Sequence, residues 1–434
     1  MTAELGSAFP EASGGVAWVE EAFGTTAGWM MGYLSWISGA TDNAIYPVLF
    51  LDYLLEVVDI QDELTSTVRF VTLSGMAILL AYINWLGLPV IGNISFVICL
   101  AAMSPFILLT LIGMFKVDPS RWLELPEQHR NLEDYGVDDD HDASAAITTG
   151  DEYHGPVIFG IMLRPYLNNL FWNLNSWDAA ACYAGDLANP GSDLPISTYW
   201  SLALVILGYL LPLLIAVGAS DANQTDWVDG YLARACSDIV GPWLGTWTVF
   251  AAGISNIALF QAELSSDAFQ LMGMADRAYL PRIFSTRSRH GTPTYGIILG
   301  TAVIVAMSVS NLDQLIEMLN FNYSVSLLME YAAFLKLRVS RPDLQRPFQI
   351  PLGTVGCAIA LILPVGFTVL VLFLADLRTI VFALATTGFG SFLYFLMDRD
   401  NIRGKLRCRG LCRKIRYAPI HADSMGSTPA SEVV

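Results

Sequence analysis

Apolar runs long enough to cross a membrane recur along the chain, near 25–55, 68–88, 90–115, 160–183, 198–219, 240–272, 294–311, 315–336, 353–375 and 378–396. A hydrocarbon core of about 30 Å takes about 20 helical residues, so this pattern predicts ten membrane helices and an all-α, polytopic membrane protein. The membrane unit spans 1–397 and a tail follows over 398–434. An even number of crossings returns both termini to one face. Met1–Ala8 reads as the last turns of a helix, followed by a loop over Pro10–Gly15. Segment 116–155 is polar, with a low-complexity centre at Gly136–Ser144, and reads as a flexible external loop.

One run departs from the rest. From Pro165 to Pro195 the chain reads PYLNNLFWNLNSWDAAACYAGDLANPGSDLP, with Asn168, Asn169, Asn173, Asn175, Ser176 and Asp178 interrupting the apolar pattern. An unsatisfied polar group in lipid costs several kcal/mol, so this segment must lie within protein or line a wet cavity. Broken helices of this kind build substrate sites in secondary transporters, where the freed backbone groups hold polar ligands. The other reading is a buried helix whose amides bond its neighbours.

Composition sharpens the class. Of 434 residues, 54% are hydrophobic and 15% charged, and the mean hydropathy is +0.49. That is too much apolar surface for a disordered chain or for one soluble core. The net charge is −17, yet sixteen of the 23 basic residues fall in Arg277–His290, Lys336–Arg346 and Arg399–Arg416. The acids gather in Glu56–Glu63 and Asp118–Glu152. Opposite signs on alternating loops follow the positive-inside rule, which puts the basic tail in the cytoplasm and the acidic loop outside. The acidity belongs to one membrane face and gives no reason to expect a nucleic-acid partner. Asn223-Gln224-Thr225 is a glycosylation sequon in another predicted external loop. Six scattered cysteines form neither a disulfide framework nor a CxxC metal spacing; Cys408 and Cys412, in the basic tail, are open to palmitoylation or are ordinary thiols. All five histidines fall in loops or the tail, and HExxH, Walker and GxSxG patterns are missing. The sequence therefore predicts no enzyme, cofactor or metal site.

Acids at membrane depth carry the candidate chemistry, because a central carboxylate costs about 2.5–3.5 kcal/mol to insert. Asp42 lies near the middle of 25–55, beside Asn43 and one turn before Tyr46. Asp178 follows the Asn-rich break, either capping a half-helix or meeting substrate or proton. Glu263 and Asp267 share a face of 240–272, and Glu317 and Glu330 lie in 315–336. Glu263, Asp267 and Glu330 are expected near the cytoplasmic interface, paired with Arg277, Arg282 or Lys336. With no Lys or Arg at the centre of any predicted span, the cavity is expected to be net negative, suiting a cationic substrate, protons or both. Trp172, Trp177 and Tyr46 adjoin these positions, and aromatic faces attract ammonium groups.

Several motifs carry a family resemblance. AELGSAFPEASGGVAWVEEAFG resembles the end of the second helix and the following loop of the amino acid–polyamine–organocation superfamily. GATDNAIYPVLFLDYL is similar to its third helix in the polyamine-uptake branch of plants and protists. FWNLNSWDAAACYAGDLANP resembles the broken sixth helix, SSDAFQLMGMADRAYLPRIFSTRSRHGTPTYGI the eighth helix and its loop, and RPFQIPLG the loop before the eleventh. The likeness runs from Glu4 to about Met397 and covers family helices three to twelve. It leaves out the first helix and most of the second, which reads as a start placed too late in the gene or as a degenerate, non-transporting paralogue.

The resemblance implies an inverted-repeat fold with alternating access. It implies a substrate site at Asp42, Asn43 and Tyr46 from helix three, at Trp172, Asn173, Asn175, Ser176 and Trp177 from the helix-six break, and at Asn320, Asn322 and Tyr323 from helix ten. Ser176 stands where the family usually has Gly. Asp178 and Glu263 are the candidates for proton coupling. The expected activity is proton-coupled uptake of polyamines such as putrescine and spermidine by a multi-pass protein, with the plasma membrane as its place. An amino acid transporter or exchanger of the same fold is the alternative.

Overall fold

The computed structural model describes residues 1–58, 65–123, 157–158, 161–222, 227, 230–308 and 312–405. The centre of the 116–155 segment, the sequon at Asn223–Thr225, and the tail with Cys408 and Cys412 lie outside the described residues. Those described are helical apart from a short antiparallel pair, β1 (Val157–Ile158) with β2 (Ile161–Met162).

In chain order the helices begin with α1 (Thr2–Ala8), α2 (Gly15–Phe23), α3 (Thr25–Asn43), α4 (Ile45–Val58), α5 (Ser66–Trp85) and α6 (Leu88–Gly113). There follow α7 (Leu163–Leu174), a 3-10 helix over Trp177–Asp186, α8 (Pro190–Ala219), α9 (Tyr231–Ile239) and α10 (Pro242–Asp276). The set closes with α11 (Thr294–Met307), α12 (Leu312–Ser340), α13 (Thr354–Ala360), α14 (Ile362–Phe373) and α15 (Leu377–Lys405). Met1–Ala8 is helical as expected.

Six segments are long and apolar enough to cross a membrane: α5, α6, α8, α10, the α13–α14 pair and the first part of α15. The other four predicted spans are helical but differ in kind. The 25–55 run is divided into α3 and α4, and 160–183 into α7 and the 3-10 helix. The 14 residues of α11 reach about 21 Å, short of a full crossing. α12 carries acidic and amide residues within its span. Three of these four are the elements that bring polar groups inward, which is why apolarity alone does not find them.

Burial orders the bundle. Within the crossing windows 39% of α10 is buried but 11% of α15, so α10 is central and α15 peripheral. The outer helices expose Val71, Ile78, Phe96, Val97, Leu363 and Phe373, an apolar surface far larger than a water-soluble monomer shows. Trp18, Trp29, Met274 and Phe334 pack α2, α3, α10 and α12 together; Ile45, Phe260, Leu264, Ile297 and Leu319 do so deeper in the bundle.

The α3–α4 division has a local cause. Pro47 has no N–H and its ring crowds the carbonyl four residues back, that of Asn43. The helix closes there, and Ala44 N–H turns to Thr41 C=O at 3.2 Å. Asp42 and Asn43 thus sit where the ladder stops.

Segment 1–24 clamps the Arg-rich ends of α10 and α12. Glu4 is fully buried and accepts from Arg338 Nε at 2.9 Å, from Arg338 Nη2 and from Ile350 N–H at 2.9 Å. Arg346 Nε lies 3.2 Å from the same carboxylate. Arg277 binds Glu11, Glu20 and the Ser13 hydroxyl, while Arg341 pairs with Glu21. These contacts correct the expected pairing of Glu263, Asp267 and Glu330. Arg277 is committed to Glu11 and Glu20, the Lys336 ammonium lies 4.4 Å from the Phe23 ring, and Arg282 is exposed. The acids lie too deep: Asp267 precedes Arg277 by ten residues, about 15 Å of helix axis.

Candidate functional site

Two helix breaks face each other across a narrow cavity. α7 ends at Leu174, Asn175 is extended, and Ser176 takes a left-handed conformation at φ 65° before the 3-10 helix starts at Trp177. The freed groups find partners locally. Asn175 Nδ2 donates to Phe171 C=O at 2.6 Å and Trp177 Nε1 to Leu174 C=O at 3.0 Å, capping the end of α7. Ser176 N–H donates to the Tyr323 hydroxyl at 3.1 Å, and that hydroxyl donates to Asp178 Oδ1. Asn320 Nδ2 ties α12 to α7 through Asn168, at 2.9 Å to its carbonyl and 3.0 Å to its side chain.

A left-handed residue with a Cβ costs about 1–2 kcal/mol against glycine. Ser176→Gly is therefore expected to raise the thermal unfolding midpoint of the purified protein; a lower midpoint would mean the hydroxyl holds the break. Tyr323→Phe removes the donor to Asp178 and the acceptor of Ser176 N–H together. Each buried group left unpaired costs about 1–3 kcal/mol, so this variant is expected to lose substrate transport by about tenfold or more, read as initial rate.

Asp42 sits across the cavity, its Oδ1 accepting from Trp172 Nε1 at 2.8 Å. From α10 come Glu263, Ser266, Asp267 and Gln270, and from α3 Ser35, Ser38 and Gly39 join Asp42. Gly39 makes room for Asp267: a Cβ there would lie 2.3 Å from Asp267 Oδ1. The cavity wall holds four carboxylates, Asp42, Asp178, Glu263 and Asp267, and the lining contains no Lys, Arg or His among the described residues.

The structure gathers Asp42, Trp172, Asn175, Ser176, Asp178, Glu263, Asn320 and Tyr323 around this cavity. The remaining candidates lie elsewhere. Asn43 is buried against α10, its carboxamide facing Phe260 C=O at 3.2 Å and Leu264 N–H at 2.7 Å in the orientation that satisfies both. Tyr46 does not line the cavity but packs behind Asp42 in the deeper apolar cluster, its hydroxyl hydrogen-bonded to the Asp42 carboxylate. Asn173 is exposed and bonds Asn169 C=O at 2.9 Å. Trp177 lines a second, mostly apolar cleft of about 530 Å³ on the far side of the Asp178–Tyr323 pair. Asn322 is buried and its Oδ1 accepts from Thr386 on α15 at 3.3 Å.

Ser35, Ser38, Gly39, Ser266 and Gln270 were not singled out from sequence. Their signal is present all the same. Positions 35, 38, 39 and 42 repeat at i, i+3, i+4 and i+7, as do 263, 266, 267 and 270, which puts each set on one helix face. Two small-or-polar stripes in apolar helices mark faces turned toward each other.

Apolar helices around a buried polar cavity, with breaks where backbone and carboxylates meet, define a polytopic membrane transporter rather than an enzyme. The amino acid permease family matches residues 1–394, and the chain belongs to that family. It is 37% identical over 390 residues to the polyamine transporter PUT1 of Oryza sativa subsp. japonica, covering 90% of this chain and 67% of that protein. It is 36% identical over 395 residues to a probable polyamine transporter of Arabidopsis thaliana, covering 91% and 76%. The polyamine transporter RMV1 of Arabidopsis thaliana is 33% identical over 407 residues, covering 94% and 77%.

Proposed function

We propose that the protein carries polyamines such as putrescine and spermidine across a membrane, driven inward and coupled to protons. The observation that supports this most is the cavity of four carboxylates without a resident cation. A diammonium ligand supplies the missing charge, with Asp42 as its first anchor and the Trp172 ring beside it offering a cation–π contact of about 0.5–2 kcal/mol. Asn175, Ser176 and Asn320 offer polar partners for the remaining N–H groups. Similarity to proteins named polyamine transporters points the same way.

A zwitterionic amino acid fits this wall less well, because its carboxylate would enter among like charges. Two such charges 4 Å apart repel by about 4 kcal/mol at an effective dielectric of 20. The spans follow an inverted-repeat plan, matching family helices three to twelve, in which α3 and the α7–3-10 pair rock between outward and inward openings. The C-terminal tail lies in the cytoplasm and the protein works in the plasma membrane. A membrane potential then supplies about 2.3 kcal/mol per charge per 100 mV, twice that for a dication.

Uptake of radiolabelled putrescine by cells expressing the chain tests the reading. Saturable uptake that rises with external acidity and is competed by spermidine, not by leucine or arginine, is expected. Uptake of leucine or arginine without putrescine would replace polyamines by amino acids; transport of neither would leave a non-transporting relative.

A further inference from the structure

We propose that Glu330 is a proton-binding site: it holds a proton while Gly15 is packed against it and releases it when that contact opens toward the cavity. This rests on the proton coupling proposed above and names a residue for it outside the cavity wall. Glu330 lies on α12, is fully buried, and among the described residues neither carboxyl oxygen has a hydrogen-bond partner. It is aimed at the first residue of α2, where a Cβ on Gly15 would lie 1.9 Å from Glu330 Oε1 and 2.4 Å from Met31 Cε. Only glycine admits the side chain there. Gly15 also lines the cavity, so one residue of backbone separates Glu330 from the space that holds substrate.

Among the described residues, the titratable and charged groups facing it are few. Asp178 and Cys182 come from the 3-10 helix, the Met1 amino group from the start of α1, and Tyr323 and Tyr331 from α12 itself. Gly15 and Met31, from α2 and α3, are not titratable. The Met1 amino group makes no hydrogen bond to Glu330. The basic side chains nearest in sequence are engaged elsewhere, Lys336 over Phe23 and Arg338 with Glu4. A bare carboxylate cannot be left in such a place, and burial without a partner is met by taking up a proton. A metal cation is a poor fit, since it needs several oxygens converging on one point, whereas among the described residues no hydroxyl or carbonyl bonds this carboxyl.

The start of α2 gives the site a second state. The N-terminal end of a helix carries the positive end of its dipole and favours an anion, even though Val16 and Ala17 N–H bond back to Ser13 and Gly14 C=O. Movement of the Gly14–Gly15 turn away from α12 would admit water from the cavity beside this helix end, and the charged form of Glu330 then becomes the stable one. Proton release is thereby tied to opening of the same wall that Asp178 and Tyr323 form.

Two measurements on the full chain test this. Infrared spectra of the purified protein in lipid vesicles at neutral pH should contain a protonated-carboxyl carbonyl band that disappears in Glu330→Gln. A parent-minus-variant spectrum with carboxylate bands in its place would overturn the proposal. In the same vesicles Glu330→Gln should keep putrescine counterflow at symmetrical pH within about twofold, while accumulation driven by a pH gradient falls at least about tenfold. Undiminished gradient-driven accumulation would overturn it. The amide has the shape of the protonated acid, so a variant that does not fold also counts against it. If the parent carries no polyamine, the functional reading fails, and the infrared arm still decides the proton on Glu330.

Discussion

If the proposed polyamine uptake is right, Asp42→Asn is expected to lower putrescine uptake by about ten- to a hundredfold, the roughly 1.5–3 kcal/mol of a hydrogen bond to a charged group. The substitution conserves size, and the amide oxygen still accepts from Trp172 Nε1, which the carboxylate meets at 2.8 Å. Folding should therefore be retained, and surface expression should match the parent. What is lost is the charge proposed to meet a substrate ammonium. The deficit should be larger for putrescine than for any neutral solute that enters, since the latter has no charge for Asp42 to compensate. Wild-type uptake by Asp42→Asn would remove this carboxylate from the site and shift the argument to Asp178, Glu263 and Asp267.

The second large effect concerns stability. Glu4→Gln strips Arg338 and Arg346 of the carboxylate they share, in a place where Glu4 is fully buried and the Arg338 and Arg346 side chains are 3% and 7% exposed. Breaking one side of a buried ion pair typically costs about 3–5 kcal/mol, because the partner charge is left uncompensated. The expected result is a protein that aggregates many degrees earlier on heating, followed by size-exclusion chromatography in detergent. Replacing Glu4 and Arg338 together by Met should recover only part of the loss, because the charge of Arg338 goes with its partner but the buried Arg346 still lacks its carboxylate. A Glu4→Gln variant that melts like the parent would mean the clamp between α1 and α12 contributes nothing.

Much of the site could be read along the chain because its causes are local. Pro47 ends α3 beside Asp42 wherever that helix packs. The Asn-rich stretch after Pro165 breaks its helix because Asn and Trp side chains compete for the carbonyls that an uninterrupted helix would use. The stripes at 35–42 and 263–270 were legible too, although only by following polar positions through apolar spans. The pairing of basic residues was not. Arg277 stands ten residues from Asp267 in the chain but joins Glu11, 266 positions away. Nearness in sequence along a helix is distance along its axis, so the nearer acid is the one out of reach.

The chain by itself determined that this is an all-helical membrane protein with acids deep in its spans, because lipid demands apolar helices of set length and penalises each uncompensated charge. Which of those acids share one wall, and which of the named side chains turn away from it, was decided by tertiary packing. Asn43, Asn173, Asn322 and Trp177 carry the same chemistry as the residues that reach the cavity. They differ only in the direction each helix face takes when α3, α7, α10 and α12 come together.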